Sequence, residues 1–472
     1  MLLKHYFTEK IAHSSYLLCG QKSCAVIDPQ RDVSHYIEGA RAQGVTITHI
    51  IQTHLHADFI SGHMDLAEMT GADIYVAKSA NCTFDHIPLS EGDTIQLEDM
   101  ELQVLETPGH TPEHLCFVVV DKARSESPVG VFTGDTLFVG DVGRPDLFPN
   151  RAQELAGKLY HSLHDKLMTL PDYCEVYPTH GAGSLCGRDM GAKWRSTIGY
   201  ERYFNQVLQI EDKQSFAKSL TENMPEAPDH FSRCSDINRK GPAKLKELPK
   251  LEELSPTDFS RKIQEDAFVV LDTRSYLAYG SQHIPGSWHL DLNGNFPTFA
   301  GWVIPTDKKI LLVADSFSKA QEAVVWARRT GVDHIVGYLD GSMTAWAISG
   351  LRSSSVQQIS AEDLHDRVVG HDQFIMLDVR APGEFKDSHI EGAINIPVAD
   401  LRTRFNELDP KKKTVLACSS GNRSSLGTSI LKQKGFKNII NLAGGMTGYS
   451  AAGHAAQCRV CVNPHGSRFH NA

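Results

Sequence analysis

The first half of the chain is best understood from the segment Thr53-His54-Leu55-His56-Ala57-Asp58-Phe59. It follows the run Ile47-Thr48-His49-Ile50-Ile51, whose β-branched residues are typical of a buried strand. Alternate residues of an extended segment project to the same side, so His54 and His56 can approach one metal ion. A cluster of potential ligands directly after a strand predicts a metal site.

Three more candidate ligands follow strand-like runs further along the chain. His110 comes shortly after Val104-Leu105, Asp135 after Val131-Phe132, and His180 after Val176-Tyr177. Any one of these histidines alone would be explained as a surface or capping residue. Because all of them terminate strand patterns, we expect them to gather in loops along one edge of a layered α/β domain.

The pattern H-x-H-x-D followed by distant His, Asp and His resembles the metallo-β-lactamase superfamily. The resemblance implies an αββα sandwich, which we assign to residues 1–240. Position 59 differs from the dinuclear hydrolases of the superfamily, which carry His where this chain has Phe59. A phenyl ring cannot bind a metal, so this difference argues against a dinuclear zinc site.

The resemblance is closest to the persulfide dioxygenases of this superfamily. It implies one Fe(II) per chain, bound by His54, His110 and Asp135, and two histidines with one carboxylate suit a non-haem iron that reacts with oxygen. His56 is then a fourth ligand or an orienting group, and Asp58 and His180 are orienting groups.

The activity that this resemblance implies is oxidation of a thiol persulfide by O2 to sulfite and the free thiol. The thiol is expected to be of the glutathione or coenzyme A type, and the sequence does not choose between them. Arg144, in Gly143-Arg144-Pro145-Asp146, is assigned to substrate binding, although an ion pair with Asp146 is the safer expectation. The alternative is a zinc-dependent thioester hydrolase of the glyoxalase II type, against which Phe59 argues.

The second half contains an internal repeat. The stretch Leu271-Asp272-Thr273-Arg274 returns as Leu377-Asp378-Val379-Arg380, a shift of 106 residues that is shared by a nearby His-Ile-x-Gly. A repeat of this length predicts a duplicated α/β domain with parallel sheets, over residues 255–352 and 356–455. The Lys-, Glu- and Pro-rich residues 238–254 before it are predicted to be a linker or a peripheral connector.

A thiol in the second copy stands where a strand hands over to a helix. Cys418 ends the apolar run Val415-Leu416-Ala417 and is followed by Ser419-Ser420-Gly421-Asn422-Arg423. Loop amides and the positive end of a helix favour a thiolate, and Arg423 adds a positive charge. A buried structural cysteine is the more ordinary fate of a lone thiol, but the C-x-x-G-x-R loop favours chemistry.

This loop, with the D-x-R and His-Ile-x-Gly stretches upstream, resembles the rhodanese family. The resemblance implies that Cys418 is a nucleophile carrying sulfane sulfur, that Arg423 is catalytic, and that Gly421 and Ser424 contribute to substrate binding. The first copy has Asp315 and Ala320 at the corresponding positions. A carboxylate cannot accept sulfur, so we expect this copy to be a spacer or a docking surface.

Composition limits the remaining possibilities. The 472 residues carry a net charge of −10, which argues against nucleic-acid binding, and no apolar run is long enough to span a membrane. The N-terminus lacks the pattern of a secretory signal, so we expect a cytoplasmic protein. Related dioxygenases suggest a homo-oligomer.

Sulfite and thiosulfate are expected partners of the sulfur-transfer reaction. The direction of transfer stays open, as do the roles of Cys19 and of the Cys458/Cys461 pair.

Overall fold

The computed structural model describes residues 1–188, 190–222, 224 and 227–454, which divide into two compact units. The first unit comprises residues 1–247 with 328–331, and the second comprises 248–327 and the residues from 332 onward. In the described ranges, no helix is both long and apolar enough to cross a bilayer. The bounds 1–240, 255–352 and 356–455 stay predictions within these units.

Two six-stranded sheets form the framework of the first unit, and each mixes parallel and antiparallel pairs. In spatial order, the first sheet contains β1 (Leu2–Thr8), β2 (His13–Cys19), β3 (Ser23–Ile27), β4 (Thr46–Ile51), β5 (Asp73–Ala77) and β6 (Ile87–Leu89). The second contains β7 (Thr94–Leu97), β8 (Met100–Glu106), β9 (Leu115–Asp121), β10 (Pro128–Gly134), β11 (Glu175–Pro178) and β12 (Ser196–Thr197), again as spatial neighbours in this order.

Helices cover these sheets on both sides. They are α1 (Ser34–Gln43), α2 (His63–Thr70), α3 (Ala152–His161), α4 (Ile198–Phe204), α5 (Lys213–Thr221) and α6 (His230–Lys240). One hydrophobic core joins the facing sides of both sheets with α1 and α2, and a second joins the other side of the second sheet with α3 and α5. The predicted αββα sandwich is confirmed.

The strand ends position the candidate ligands as the sequence predicted. Strands β4, β8, β10 and β11 each stop within a few residues of His54, His110, Asp135 and His180, respectively. Gly134 makes the turn before Asp135 with φ of +50°, and a Cβ there would lie 2.5 Å from His114 Nε2. Only glycine fits this close approach.

The second unit contains two five-stranded parallel sheets of the same strand order, which confirms the duplication. The first copy has β13 (Glu252–Leu254), β14 (Phe268–Asp272), β15 (Trp288–His289), β16 (Lys309–Val313) and β17 (Ile335–Leu339), in the order β13-β17-β16-β14-β15. The second copy has β18 (Gln357–Ile359), β19 (Ile375–Asp378), β20 (Ile394–Asn395), β21 (Thr414–Ala417) and β22 (Ile439–Leu442), in the order β18-β22-β21-β19-β20.

The helices of the two copies also correspond. The first copy has α7 (Pro256–Lys262), α8 (Tyr276–Ser281), α9 (Phe296–Val303), α10 (Phe317–Arg329) and α11 (Ser342–Ile348). The second has α12 (Ala361–Val369), α13 (Pro382–Asp387), α14 (Leu401–Arg404), α15 (Asn422–Gln433) and α16 (Gly445–Ala451). One hydrophobic cluster contains buried side chains from both copies, so they share part of their core.

The repeated D-x-R stretch is a buried ion pair. The Arg380 guanidinium donates to Asp378 at 2.6 and 3.0 Å and to the Ser388 carbonyl, and Arg274 repeats this arrangement with Asp272 in the first copy. Since the pair occurs in both copies, it belongs to the fold rather than to the chemistry of one copy.

Replacing Asp378 with Ala should destabilise the second unit by about 3 kcal/mol, because it leaves the buried Arg380 charge without its partner. Urea unfolding followed by circular dichroism measures this loss. The exposed Asp387→Ala change in the same copy is the control and should have little effect. Equal stability of the two variants would contradict the assignment of the pair to the fold.

Candidate metal and thiol sites

His54, His110 and Asp135 come together in the first unit. One donor atom from each lies within 4.8 Å of the others, and all three side chains are buried. Asp135 Oδ2 is 3.3 Å from His110 Nε2 and 3.8 Å from His54 Nε2. Two imidazoles and one carboxylate therefore converge as the sequence predicted, although their assignment as iron ligands stays a prediction.

The hydrogen bonds of these histidines fit a metal. Nδ1 of His54 lies 2.9 Å from Thr53 Oγ1, and Nδ1 of His110 donates to the Arg144 carbonyl at 2.9 Å. Both Nε2 atoms are buried and have no hydrogen-bond partner among the described residues. Burial also lowers the pKa of both imidazoles, so they stay neutral with a lone pair available.

His180 connects the carboxylates of this site. Its Nδ1 lies 2.8 Å from Asp135 Oδ1, and its Nε2 lies 2.9 Å from Asp58 Oδ2. Burial works against the charged form, but Asp135 and Asp58 outweigh it and raise the pKa of His180 well above its usual value. Burial likewise opposes ionisation of Asp135, but the surrounding imidazoles, led by His180, hold its pKa well below the usual range.

His56 is hydrogen-bonded to Asp28, a residue that the sequence analysis did not include in the site. Its Nε2 lies 3.1 Å from Asp28 Oδ1, while Asp28 also accepts hydrogen bonds from the Thr53 amide and hydroxyl. Asp28 directly follows β3. This position directly after a strand, which Asp28 shares with the other candidate ligands, could have identified it from the sequence.

Two further side chains that the sequence analysis missed hold the ligand loops. The His114 ring stacks on His54 with centroids 4.8 Å apart, and its Nε2 accepts the Asp135 amide at 2.9 Å. Asn238 donates to the carbonyls of His56 and Phe59, both at 2.8 Å. Asn238 lies in α6, so the stretch predicted as a linker begins inside a helix that supports the site.

A second group of potential ligands lies beside the first. Asp58, His180 and Cys186 each offer a donor atom within 4.8 Å of the others. Burial raises the pKa of the Cys186 thiol to about 12. No motif around Cys186 marked it, so the argument from Phe59 was incomplete: losing an imidazole at this position does not remove every donor for a second ion.

Phe59 itself is fully buried against imidazoles. Its ring lies 4.4 Å from that of His56 and 4.1 Å from that of His13. His13 is also fully buried, and neither of its ring nitrogens has a hydrogen-bond partner in the described part of the chain. The sequence analysis did not identify His13, which opens β2 far from the motif.

The guanidinium of Arg144 is engaged within its own loop. It donates to both oxygens of Asp146 at 2.7 and 2.8 Å and to the Leu185 carbonyl at 3.2 Å. This is the ion pair that the sequence analysis weighed against substrate binding. The role of Arg144 in binding substrate stays a prediction.

The Cys418 loop provides donors to its sulfur. The Gly421 amide donates to Sγ at 3.1 Å and Ser424 Oγ donates at 3.3 Å, and α15 begins at Asn422. Gly421 has φ of +101°, and a Cβ there would lie 2.9 Å from the Tyr276 ring of the first copy. The loop can therefore curl around the sulfur as expected, with the first copy packed against it.

Arg423 pairs with Glu384, a residue that sequence reasoning did not assign. Both terminal nitrogens of the guanidinium lie 2.7 Å from Glu384 carboxylate oxygens, and Nη2 also donates to Ser419 Oγ at 2.6 Å. Burial alone would raise the pKa of Glu384, but Arg423 outweighs it and lowers this pKa to about 2. The carboxylate is therefore ionised at neutral pH.

A pocket beside the Cys418 loop is built from both copies. Its lining is Leu290, Asp291, Gly294, Asn295 and Phe299 from the first copy, and Ser420, Asn422, Arg423 and Leu426 from the second. The first copy lacks the thiol, but at a different residue from the one that the sequence predicted. The strand pairings align Val313 with Ala417, so Ala314 and not Asp315 corresponds to Cys418. The same offset places Lys319 and not Ala320 at the position of Arg423. This copy contributes to the pocket and is more than a spacer.

The sequence analysis left the roles of Cys19 and of the Cys458/Cys461 pair open. Cys19 and Cys24 are buried and lie opposite each other in the antiparallel pair of β2 and β3. Cys458 and Cys461 lie outside the described residues.

Comparisons with known proteins agree with this geometry. The family model described as the metallo-beta-lactamase superfamily matches residues 9–180, and the rhodanese-like domain model matches 255–349 and 360–452. The mitochondrial persulfide dioxygenase ETHE1 of Mus musculus is 30% identical over 229 residues, covering 48% of this chain and 83% of the relative. A hydroxyacylglutathione hydrolase of Hydrogenovibrio crunogenus is 34% identical over 163 residues, covering 34% and 54%.

Among solved structures, a metallo-beta-lactamase from Staphylococcus aureus is similar with a TM-score of 0.65 and 32% identity, covering 72% of this chain and 98% of that one. The sandwich and its histidine-rich edge thus define a member of the metallo-beta-lactamase superfamily. Within that superfamily the chain belongs to the persulfide dioxygenase family, and it carries two rhodanese-like domains in its second half.

Proposed function

We propose that this protein oxidises a low-molecular-weight thiol persulfide with O2 and transfers sulfane sulfur through Cys418. The oxidation consumes one persulfide RSSH, one O2 and one water, and yields the thiol RSH, sulfite and two protons. The sulfane sulfur loses four electrons, and dioxygen accepts them. The rhodanese-like half then exchanges sulfane sulfur between a persulfide, Cys418 and sulfite or thiosulfate.

One observation carries the oxidative half of this proposal. Two buried imidazole nitrogens without hydrogen-bond partners in the described chain face a carboxylate oxygen 3.3 and 3.8 Å away. His54, His110 and Asp135 would hold one ferrous ion in this arrangement, which leaves coordination positions open. The bound ion would supply the redox chemistry with dioxygen.

The surrounding residues fix the orientation of this donor set and shield it from bulk solvent. His180 holds the Asp135 carboxylate, and His114 accepts a hydrogen bond from the Asp135 main-chain amide. Orienting groups of this kind set the direction and basicity of metal ligands. All these side chains are buried, so the donor set is shielded from bulk solvent.

The transfer half relies on the thiolate of Cys418. Its Sγ attacks the outer sulfur of a persulfide, the sulfur–sulfur bond of the donor breaks, and the thiolate RS⁻ leaves. The Gly421 amide and the Ser424 hydroxyl donate to the sulfur and stabilise its negative charge. Attack by sulfite on the outer sulfur of the resulting Cys418 persulfide would release thiosulfate.

We further propose one iron per chain, a glutathione or coenzyme A type persulfide, a homo-oligomeric state and a cytoplasmic location. The persulfide dioxygenase relatives support a persulfide substrate. The donor set of two histidines and one carboxylate supports the choice of iron.

The proposal is tested with protein purified without oxygen and supplied with glutathione persulfide or coenzyme A persulfide. We expect oxygen uptake with one sulfite formed per O2 at low persulfide, and thiosulfate replacing sulfite as persulfide accumulates. Absence of oxygen uptake with both donors would contradict the oxidative half.

The second candidate is a zinc-dependent thioester hydrolase of the glyoxalase II type fused to a sulfurtransferase. It is favoured by the second donor group of Asp58, His180 and Cys186 and by the hydroxyacylglutathione hydrolase relatives. Hydrolysis of S-lactoylglutathione by the zinc-loaded protein, without oxygen uptake on persulfides, would establish this function instead.

A further inference from the structure

The segment Arg328–Gly331 belongs to the first unit, although it contains the end of α10 from the first rhodanese-like copy. Its main-chain carbonyls accept hydrogen bonds from three separate parts of the first unit. The donors, for residues 328, 329 and 330 in turn, are Arg31 Nη1 at 3.2 Å, the Ile60 amide at 2.7 Å and Arg233 Nη2 at 3.3 Å. The segment therefore supplies acceptors that the rest of this unit uses.

The bond from Ile60 belongs to the metal loop, which we define as residues 52–62 between β4 and α2. This loop carries His54 and Asp58. Ile60 is fully buried, and its amide donates to the Arg329 carbonyl at 2.7 Å. A buried amide without an acceptor is strongly unfavourable, so the position of this carbonyl determines where the loop can lie.

The side chain of Arg329 holds the segment in place. Its Nε and Nη2 donate to the two carboxylate oxygens of Asp32 at 2.6 and 2.7 Å. Two parallel bonds of this kind fix the direction of a guanidinium as well as its distance. Asp32 lies between β3 and α1, close in sequence to the Asp28 that pairs with His56. The ion pair therefore anchors the backbone whose carbonyl accepts the Ile60 amide.

A short path leads from Ile60 to the metal donors. Asp58 lies two positions before Ile60, and its Oδ2 is 2.9 Å from His180 Nε2. Nδ1 of the same imidazole lies 2.8 Å from Asp135 Oδ1. A shift of the metal loop at Ile60 would therefore move Asp58 and, through His180, disturb the carboxylate donor. His54 belongs to the same loop and would be displaced with it.

We propose that Arg329 is a positioning residue for the metal site, because its ion pair with Asp32 and its carbonyl bond to Ile60 together fix the metal loop. This inference rests on the proposed metal site of His54, His110 and Asp135. It goes beyond the proposed function by giving a residue from the first rhodanese-like copy a role in metal binding. That copy lacks the thiol, so its contribution to the protein is structural support for another site.

The test titrates metal-free protein with cobalt(II), which binds nitrogen and oxygen donors and reports their geometry in its visible absorption. Removal of groups that orient metal ligands lowers metal affinity by 10- to 100-fold, so Arg329→Ala should weaken cobalt binding at least about tenfold and change the spectrum. Titrations are run below the onset of thermal unfolding. A merely structural role would lower the unfolding temperature and leave the affinity and spectrum of the folded protein as in wild type, which would overturn the inference.

A second variant and a matched control complete the experiment. Asp32→Asn removes the other charge of the pair with little change in shape and decides the question if Arg329→Ala does not fold. The double variant Arg329→Ala with Asp32→Asn should bind cobalt no more weakly than Arg329→Ala alone, because both changes break one ion pair. Arg261→Ala removes an exposed arginine of α7 that pairs with Asp258, and it should bind cobalt as wild type does. Wild-type affinity in Asp32→Asn, or fully additive losses in the double variant, would contradict the proposal.

The inference and the proposed metal site fail in different ways. If wild type binds cobalt more tightly than His110→Ala, and Arg329→Ala and Asp32→Asn bind it as wild type does, the site is correct and the positioning role is wrong. If His110→Ala binds cobalt as tightly as wild type, the metal site itself is wrong, and the inference falls with it.

Discussion

Cys418→Ser is expected to stop sulfur transfer and to leave oxygen uptake intact. A hydroxyl cannot hold sulfane sulfur as a persulfide, so transfer should fall by about a thousandfold or more. The product of persulfide oxidation should then be sulfite alone, because no Cys418 persulfide is present to convert sulfite into thiosulfate. Counting both anions by ion chromatography, together with oxygen uptake, measures the change.

Cys82→Ser is the matched control for this variant. Cys82 is half-buried in the first unit and belongs to neither site. The control should keep the wild-type ratio of thiosulfate to sulfite. Enzymatic thiosulfate formation that persists in Cys418→Ser would show that another group carries the sulfur.

His110→Ala is expected to produce the opposite pattern. Without one imidazole the donor set falls to His54 and Asp135, and the carboxylate loses its neighbour at 3.3 Å. Even residues that support ligands cost 10- to 100-fold in affinity or activity, so losing a ligand should reduce bound iron and oxygen uptake by more than about 100-fold. Transfer from a persulfide through Cys418 should continue, since its groups lie in the second copy.

His161→Ala controls for the loss of an imidazole as such. His161 is an exposed residue of α3 that pairs with Asp165, away from the buried donors. Its iron content and oxygen uptake should match wild type. Full oxygen uptake in His110→Ala would contradict the role of His110 as a ligand.

The sequence predicted those features that local patterns encode. Strands β4, β10 and β11 contain buried β-branched or aromatic residues, and β8 alternates buried with less buried positions. Both patterns are recognisable as strands from sequence. Because each run stops just before a histidine or aspartate, the meeting of His54, His110 and Asp135 followed from the layered fold. The duplication was also predictable from the sequence, because the buried Asp–Arg ion pair of each copy requires the same residues at the same spacing.

The groups that the sequence analysis missed are those that the fold brings in from elsewhere. Cys186, His13 and Asn238 reach the metal site from three separate segments, and no short motif surrounds any of them. Glu384 lies 39 positions before the arginine it pairs with. An available signal was the first copy, which has Ala278 at the position that corresponds to Glu384.

The Phe59 argument shows the limit of inferring metal count from one position. Phe59 provides no donor, as expected, and its ring packs against His56 and His13, but Cys186 supplies a donor that the motif does not contain. Metal identity and number therefore rest on the whole donor set rather than on this ring.

Metal analysis of anaerobically purified protein, combined with oxygen uptake on glutathione persulfide, tests the central claim most directly. We predict about one iron per chain, little zinc, and oxygen uptake that follows iron content across wild type, His110→Ala and His161→Ala. Two zinc ions per chain without oxygen uptake, in protein that hydrolyses thioesters, would contradict the account.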